Sequence, residues 1–240
     1  MSNTTAQAFT QFVTDLTATT YQTDTLVPAR KRGVDERLTE KFPSTSDLPF
    51  SQTHLMGSSA KNTIIRPFDD VDVLAVFSNA KGAWSTYQWD SKSFIYRIRN
   101  AYSGVSIQQV GTRGQAVRVF YNSGGHVDVA PVFDAGNGVY KLPAGDGTWI
   151  NTAPLVGTSW YAERNRVLSY HLSPVVRLLK AWNRAHSMRF RSFHLETLAA
   201  SAFTSGTTRS SPPPTSRQWE PSRRTRPTAG TRSSNRSTRT

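Results

Sequence analysis

Apolar residues recur at two different periods along this chain, and the changes of period divide it into segments. Near the start, Phe9, Val13 and Leu16 stand at helical spacing, which predicts an N-terminal helix. A second helix is expected through ARKRGVDERLTEKF, residues 29–42. The pattern then shortens. Val71–Phe77 is a nearly continuous apolar run headed by two aspartates, and Val117–Tyr121 and His126–Val132 are further short runs rich in β-branched residues, as strands are. Another strand is expected near Val105–Val110 and one more around Trp149, with a helix at about Lys92–Ala101. Pro154 breaks the chain, and helices are expected from about Ser159 onward. There, Leu172, Val175, Val176, Leu179 and Trp182 recur at helical spacing and should face a core. The order is that of an α+β fold: a mixed sheet carrying carboxylates at one edge, with flanking helices packed behind it.

Patterning stops at Phe203. From Thr204 to Thr240 there is no Leu, Ile, Val, Met, Phe or Tyr, and only Trp219 could anchor the segment. Such a stretch cannot bury enough apolar surface to offset its ordering entropy and is expected to be disordered. Residues 1–203 therefore read as one domain, and 204–240 as a Ser/Thr/Arg/Pro-rich tail. The charge follows this division. Of a net +13, the segment Ser201–Thr240 carries +7 from eight arginines and one glutamate, which leaves +6 for the rest. A mildly basic domain suits anionic substrates, and the arginine tail is a candidate contact for nucleic acid. The absence of cysteine excludes disulfides, Cys-containing zinc sites and thiol catalysis. Five scattered histidines show no metal-ligand spacing, and His126 is expected to be a partly buried structural residue. Neither a signal peptide nor a membrane-length apolar run is present in the sequence, so a cytoplasmic protein with no membrane partner is the expectation.

The candidate chemistry lies in GSSAKNTIIRPFDDVDVLAVF and, further on, in GGHVDVAPVF. Side chains two apart on a strand share a face, so Asp70 and Asp72 project together while Val71, Val73 and Ala75 face the other way. Carboxylates held that close need a cation between them. Mg²⁺ is the natural one, since it shares hard oxygen ligands between a few carboxylates and substrate phosphates. Asp128, opposite in phase to Val127 and Val129, would complete a set for two ions, with Mn²⁺ as a substitute. Gly57 lets backbone approach a phosphate, and Ser58 with the following amides can donate to its oxygens. Ser59–Ile64 is expected to begin a helix whose N-terminus favours an anion. Asp69 is out of phase with its neighbours and reads as a solvated or ion-paired residue. An Asp-x-Asp alone is ordinarily a solvated strand end; the upstream Gly-Ser turn and downstream Asp turn it into a site for phosphoryl or nucleotidyl transfer.

These pieces, followed in order by VVRLLKAWNRAH and RSFHLETLAA, resemble the bacterial cGAS/DncV-like nucleotidyltransferases (CD-NTases, the SMODS family) of the polymerase-β-like superfamily. The resemblance covers roughly residues 5 to 200. It implies the polymerase-β-like nucleotidyltransferase fold and synthesis of cyclic or linear oligonucleotide signals from NTPs, usually in anti-phage defence and read by a downstream effector protein. It carries metal binding to Asp70, Asp72 and Asp128, and phosphate binding to Gly57, Ser58, Lys180 and Ser192. Glu196 matches the family pattern without an assigned role. Taken alone, a lysine on a helix beside Arg177 and Arg184 would read as part of a solvated face. Other acceptors, such as RNA or a small molecule, or an inactive nucleotide-binding remnant, are the alternative readings. Members of the family continue with a further helical lobe, which is expected to be cut short here. The abrupt onset of the polar tail suggests a shifted reading frame in a GC-rich gene. Translation of the underlying DNA in its other frames is expected to restore a family-like helical lobe beyond about residue 203; finding none in any frame removes that explanation.

Overall fold

The computed structural model of the protein describes residues 4–68 and 70–203. The expectations for Asp69 and for the tail, its disorder and its nucleic-acid contact included, lie outside the described residues. Helix α1 (Thr5–Leu16) opens with a capping box, in which the Thr4 hydroxyl accepts from the Gln7 amide and the Gln7 side chain accepts from the Thr4 amide. A π-helical turn over Tyr21–Leu26 runs into α2 (Val27–Lys41). Strand β1 (Phe50–Leu55), the one-turn helix α3 (Gly57–Ala60) and strand β2 (Asp70–Phe77) follow. Helices α4 (Ala83–Tyr87) and α5 (Ser91–Asn100) lead to β3 (Gln109–Arg113), β4 (Ala116–Phe120) and β5 (His126–Asp134). After β6 (Tyr140–Pro143) and β7 (Trp149–Thr152) come the helices α6 (Pro154–Val167), α7 (Leu172–Ala185) and α8 (Ser192–Ala202).

The sheet runs β1-β2-β5-β4-β3, with β6 continuing from β5 and β7 from β6. Only β2 and β5 pair in parallel; every other pairing is antiparallel, so the sheet is mixed. Alternation separates its two faces cleanly. Val71, Val73, Ala75 and Phe77 of β2 meet Val127 and Val129 of β5 and Val117 and Val119 of β4 in one core. Val34 and Leu38 of α2 and Phe94, Ile95 and Ile98 of α5 cover that face. On the other face, Leu74, Val76, Ala130 and Val132 pack with Tyr140, Leu142 and the partly buried Leu155 of α6. A third cluster, Tyr161, Leu172, Val176, Ala199 and Ala200, joins α6, α7 and α8 to one another.

Several expected elements shift, each for a local reason. The strand expected at Val105–Val110 forms later, over Gln109–Arg113, because residues 101–106 make turns at the end of α5. Pro154 does not delay a helix to Ser159 but opens α6, since proline at the first helical position loses no hydrogen bond. Trp182 is 47% exposed and stacks on His186 at 4.5 Å instead of entering a core. The buried seam of α7 runs Leu172, Val176, Lys180, Asn183, so helical spacing holds but its last two members are polar. Asn183 can sit there because its side chain donates to Phe190 O at 2.8 Å and accepts from Phe190 N at 3.0 Å. Arg177 and Arg184, readable as solvated, donate to Asn62 O and Arg66 O, both at 2.8 Å.

Phe94 is the centre of the larger core. It is fully buried, stacks on Phe133 at 4.7 Å and meets Phe77 edge-on at 5.4 Å. Truncation Phe94→Ala is expected to cost about 3–5 kcal/mol of unfolding free energy. Urea titration followed by far-ultraviolet circular dichroism measures it, and a loss below about 1 kcal/mol would mean that the cavity collapses.

Candidate active site

The in-register pairing of β2 with β5 sets the site. Asp72 lies directly beside Asp128, and Asp70 beside His126. On the far side of β5, Arg118 of β4 is the partner of Asp128. One row across the sheet therefore reads Asp72, Asp128, Arg118, and alternation turns all three toward the face that carries Leu74 and Ala130. Asp128 is fully buried, and Arg118 grips it as a fork: Nε donates to Oδ1 at 2.6 Å and Nη2 to Oδ2. His126 is half-buried, with Nε2 3.9 Å from Asp128 Oδ2 and its ring 5.4 Å from that of Phe120. Burial, then the Arg118 charge, lowers its pKa, which suits the structural role expected of it.

The Gly-Ser turn sits against this row. Met56 N donates to Asp72 O at 2.9 Å, which brings the chain over the head of β2. Gly57 has φ +56, and a Cβ there would run into Asp72 Oδ2 and lie 3.2 Å from its Cγ. Glycine is thus required twice, by backbone conformation and by the approach of a carboxylate. The helix expected over Ser59–Ile64 is only the turn Gly57–Ala60; Asn62, at φ +52, lies beyond its end. One turn has little dipole to offer an anion, so the turn's contribution is its amides and the Ser58 hydroxyl.

A pocket opens between this end of the sheet and the helical side. Gly57, Ser58, Asp70 and Asp72 line one wall; Lys180, Arg184, Arg191 and Ser192 line the other. Six of the seven residues singled out in the sequence thus share one pocket, while Asp128 stands behind Asp72 and does not line it. Ser192 is the first residue of α8, whose N-terminus has no side-chain cap. Its first-turn amides are donors for an anion.

Sequence reasoning left Glu196 without a role, and the fold supplies one. Its carboxylate is buried, accepting from Lys61 Nζ at 2.8 Å on one oxygen and from Lys180 Nζ at 2.7 Å and Thr63 Oγ1 at 3.1 Å on the other. Lys180 also donates to Thr63 Oγ1 at 2.8 Å. Burial alone would raise the Glu196 pKa, but Lys180 and then Lys61 more than offset it and hold the group at about 2. Arg118, Lys61 and Thr63 were not singled out either. Strand alternation puts Arg118 on the face of Asp128, but nothing in the sequence says which strand lies beside β5.

Asp70 and Asp72 offer hard oxygens beside a pocket fit for phosphates, the donor set that Mg²⁺ takes. Asp128 commits both oxygens to Arg118. Among the described residues no group of three or more His, Asp or Glu side chains is gathered to hold a metal ion. The pair fits a divalent cation as it stands; the third carboxylate fits only by exchanging Arg118 for one.

A family model described as the second messenger oligonucleotide or dinucleotide synthetase (SMODS) domain matches residues 3–165. The chain belongs to that family. A cyclic AMP-AMP-AMP synthase of Escherichia coli strain MS 115-1 is 30% identical to this SMODS chain over 159 residues, covering 62% of the chain and 49% of the relative. The chain spans about half the length of the curated relatives it matches. Among solved structures, E. coli MS115-1 CdnC with ATP aligns at TM-score 0.64 and 24% identity, over 80% of this chain and 63% of that one. The Elizabethkingia meningoseptica CdnE cyclic dinucleotide synthase with GTP and Apcpp aligns at 0.66 and 20%, over 85% and 79%. These likenesses establish a shared fold.

Glu196 gives a pH signature. An ordinary glutamate titrates at 4.5 and this one at about 2 in the folded protein. Its stabilisation is complete above pH 4.5 and is lost as pH falls from there toward 2, a difference of about 3 kcal/mol. Glu196→Gln is expected to lower the urea midpoint at pH 7, and the gap to wild type to narrow as pH falls through that window. A gap independent of pH would contradict it.

Proposed function

We propose that this chain is a Mg²⁺-dependent nucleotidyltransferase that joins NTPs into cyclic or linear oligonucleotide second messengers. The observation that carries the reading is the juxtaposition of the Gly57–Ser58 turn with Asp70 and Asp72 on one pocket, Asp128 being registered beside Asp72. The family membership and the similarity to a relative named cyclic AMP-AMP-AMP synthase support it.

Asp70 and Asp72 would hold Mg²⁺, or Mn²⁺ in its place, with Asp128 joining as the third carboxylate of a two-ion site once it leaves Arg118. When bound there, such a cation would supply charge neutralisation at the phosphates and acidify a ribose hydroxyl. The protein's own part is placement. Gly57 lets the triphosphate approach the turn, Ser58 and Ser192 donate to its oxygens, and Lys180 adds positive potential from the opposite wall. Donors fixed in advance stabilise charge without reorganising. Since nothing covalent passes through the protein, rate comes from positioning and electrostatics. The product would act on an effector protein in cytoplasmic anti-phage defence, as the family resemblance implies. Among the described residues, no helix is long and apolar enough to cross a membrane.

The test is incubation of the purified chain with radiolabelled ATP, GTP, CTP and UTP and Mg²⁺ or Mn²⁺, followed by phosphatase treatment. A phosphatase-resistant product, lost in Asp70→Ala/Asp72→Ala, is the expected outcome. Turnover only when RNA or a small-molecule acceptor is added would move the reading to that class. Silence with every acceptor would make the chain a nucleotide-binding remnant.

A further inference from the structure

Three carboxylates and one guanidinium share the head of the sheet. Asp70 and Asp72 line the pocket, Asp128 is registered beside Asp72, and Arg118 beside Asp128. With all four ionised, three negative charges stand against one positive, and a single divalent cation balances the remainder. A second divalent cation, with Arg118 still in place, would leave the group as positive as it was negative. Like charges gathered that closely repel, most strongly where water is excluded.

The carboxylates are not equally open to a cation. Asp70 is exposed at the head of β2, where an ion arrives from the solvent side. Asp128 is fully buried, and Arg118 takes both of its oxygens: Nε donates to Oδ1 at 2.6 Å and Nη2 to Oδ2. A forked, charge-assisted pair of this kind is among the strongest that side chains form. The Arg118 side chain is itself only 13% exposed, so water screens the pair little. A metal ion approaching Asp128 therefore competes with a guanidinium and not with solvent. Removing either partner alone would strand a buried charge, so the two must be exchanged and not simply separated. A released guanidinium has a neighbour to turn to, since the Phe120 ring lies 6.0 Å from Arg118 Cζ and a ring face stabilises a cation.

We propose that Arg118 is the resident counter-cation of Asp128 and thereby sets the order in which the carboxylates are filled. The chain alone takes one divalent cation, at Asp70 and Asp72. Asp128 takes a second only when a bound polyphosphate brings the negative charge that lets Arg118 leave. This rests on the nucleotidyltransferase reading and deepens it. Arg118 is a positioning residue: it keeps a buried carboxylate paired in the folded protein and keeps a two-ion site from assembling before the nucleotide arrives.

Electron paramagnetic resonance of the full chain titrated with Mn²⁺ tests it without recourse to turnover, because two ions on neighbouring carboxylates give a spin-coupled signal. Wild type is expected to bind one uncoupled ion, and to show the coupled pair only when the α,β-methylene analogue of ATP is added. Arg118→Met should show the coupled pair with Mn²⁺ alone, its second ion bound about tenfold tighter or more than in wild type, since a charge-assisted competitor is gone. Arg118→Lys, which keeps the charge and loses the fork, should lie between. Mn²⁺ should also raise the melting temperature of Arg118→Met more than that of wild type, by supplying the missing counter-charge. Gain of an ion is a result that damage to the fold does not produce. Identical Mn²⁺ binding by wild type and Arg118→Met overturns the proposal. Should the variant not fold, wild type decides: a coupled pair without the analogue, or none with it, refutes the assignment, and its appearance only with the analogue supports it. Wild type that binds no Mn²⁺ under either condition would sink the metal-dependent nucleotidyltransferase reading itself, an outcome distinct from a wrong role for Arg118.

Discussion

The parallel, in-register pairing of β2 with β5 is the constraint from which the rest of the site follows. It puts the carboxylates of Asp72 and Asp128 side by side on neighbouring strands. Like charges so placed repel, and each is expensive to bury unpaired. The fold answers the two carboxylates differently. Asp128, fully buried, receives the Arg118 fork from the next strand. Asp72 sits at the pocket wall with Asp70, where the Gly57 turn closes over it and a cation can reach it from the solvent side. The same pairing runs on into the apolar core, so the register that aligns the carboxylates also aligns Val73 with Val129 and Val71 with Val127. A slip of one residue would exchange the two faces, and the core therefore enforces the geometry of the site.

A second set of ties joins the sheet to the helical side. Glu196 links α8 to the segment after α3 through Lys61 and Thr63, and to α7 through Lys180. Arg177 and Arg184 fasten α7 to the backbone at Asn62 and Arg66. Arg164 of α6 donates to Ala200 O and Phe203 O, capping the end of α8. Of these residues, Lys61, Thr63, Lys180, Arg184 and Glu196 border the pocket. An apolar seam would pack as well but would leave nothing to address a phosphate. Buried ion pairs add little net stability over an apolar replacement, yet losing one partner is costly. Their value here is that they fix the two walls of the pocket relative to each other.

The electrostatic design is asymmetric. Acidic groups at the head of β2 face one side of the pocket, and the basic groups Lys180 and Arg184 of α7 and Arg191, just before α8, the other. A nucleoside triphosphate with its cation is itself a dipole of that kind, with metal-binding oxygens along one edge and unneutralised oxygens along the other. The arrangement thus suits a metal–triphosphate complex better than either a bare anion or a bare cation.

Much of this was legible before any coordinates. Alternation in DVDVLAVF and HVDVAPVF fixes which side chains share a face, since strand geometry is local. The Gly-Ser turn was legible too, because no other residue takes φ +56 so readily next to a carboxylate. The apolar stripe expected on α7 holds at Leu172, Val176 and Leu179 and fails at Trp182; a stripe read from apolarity alone omits Lys180 and Asn183, whose burial depends on partners elsewhere. Arg118 against Asp128 and Lys61 against Glu196 are separated by 10 and 135 positions and carry no local signature. The sequence by itself determined which residues could meet, through periodicity and backbone conformation. Only the tertiary structure decided which charges do meet, because ion pairing depends on distances that chain connectivity does not set.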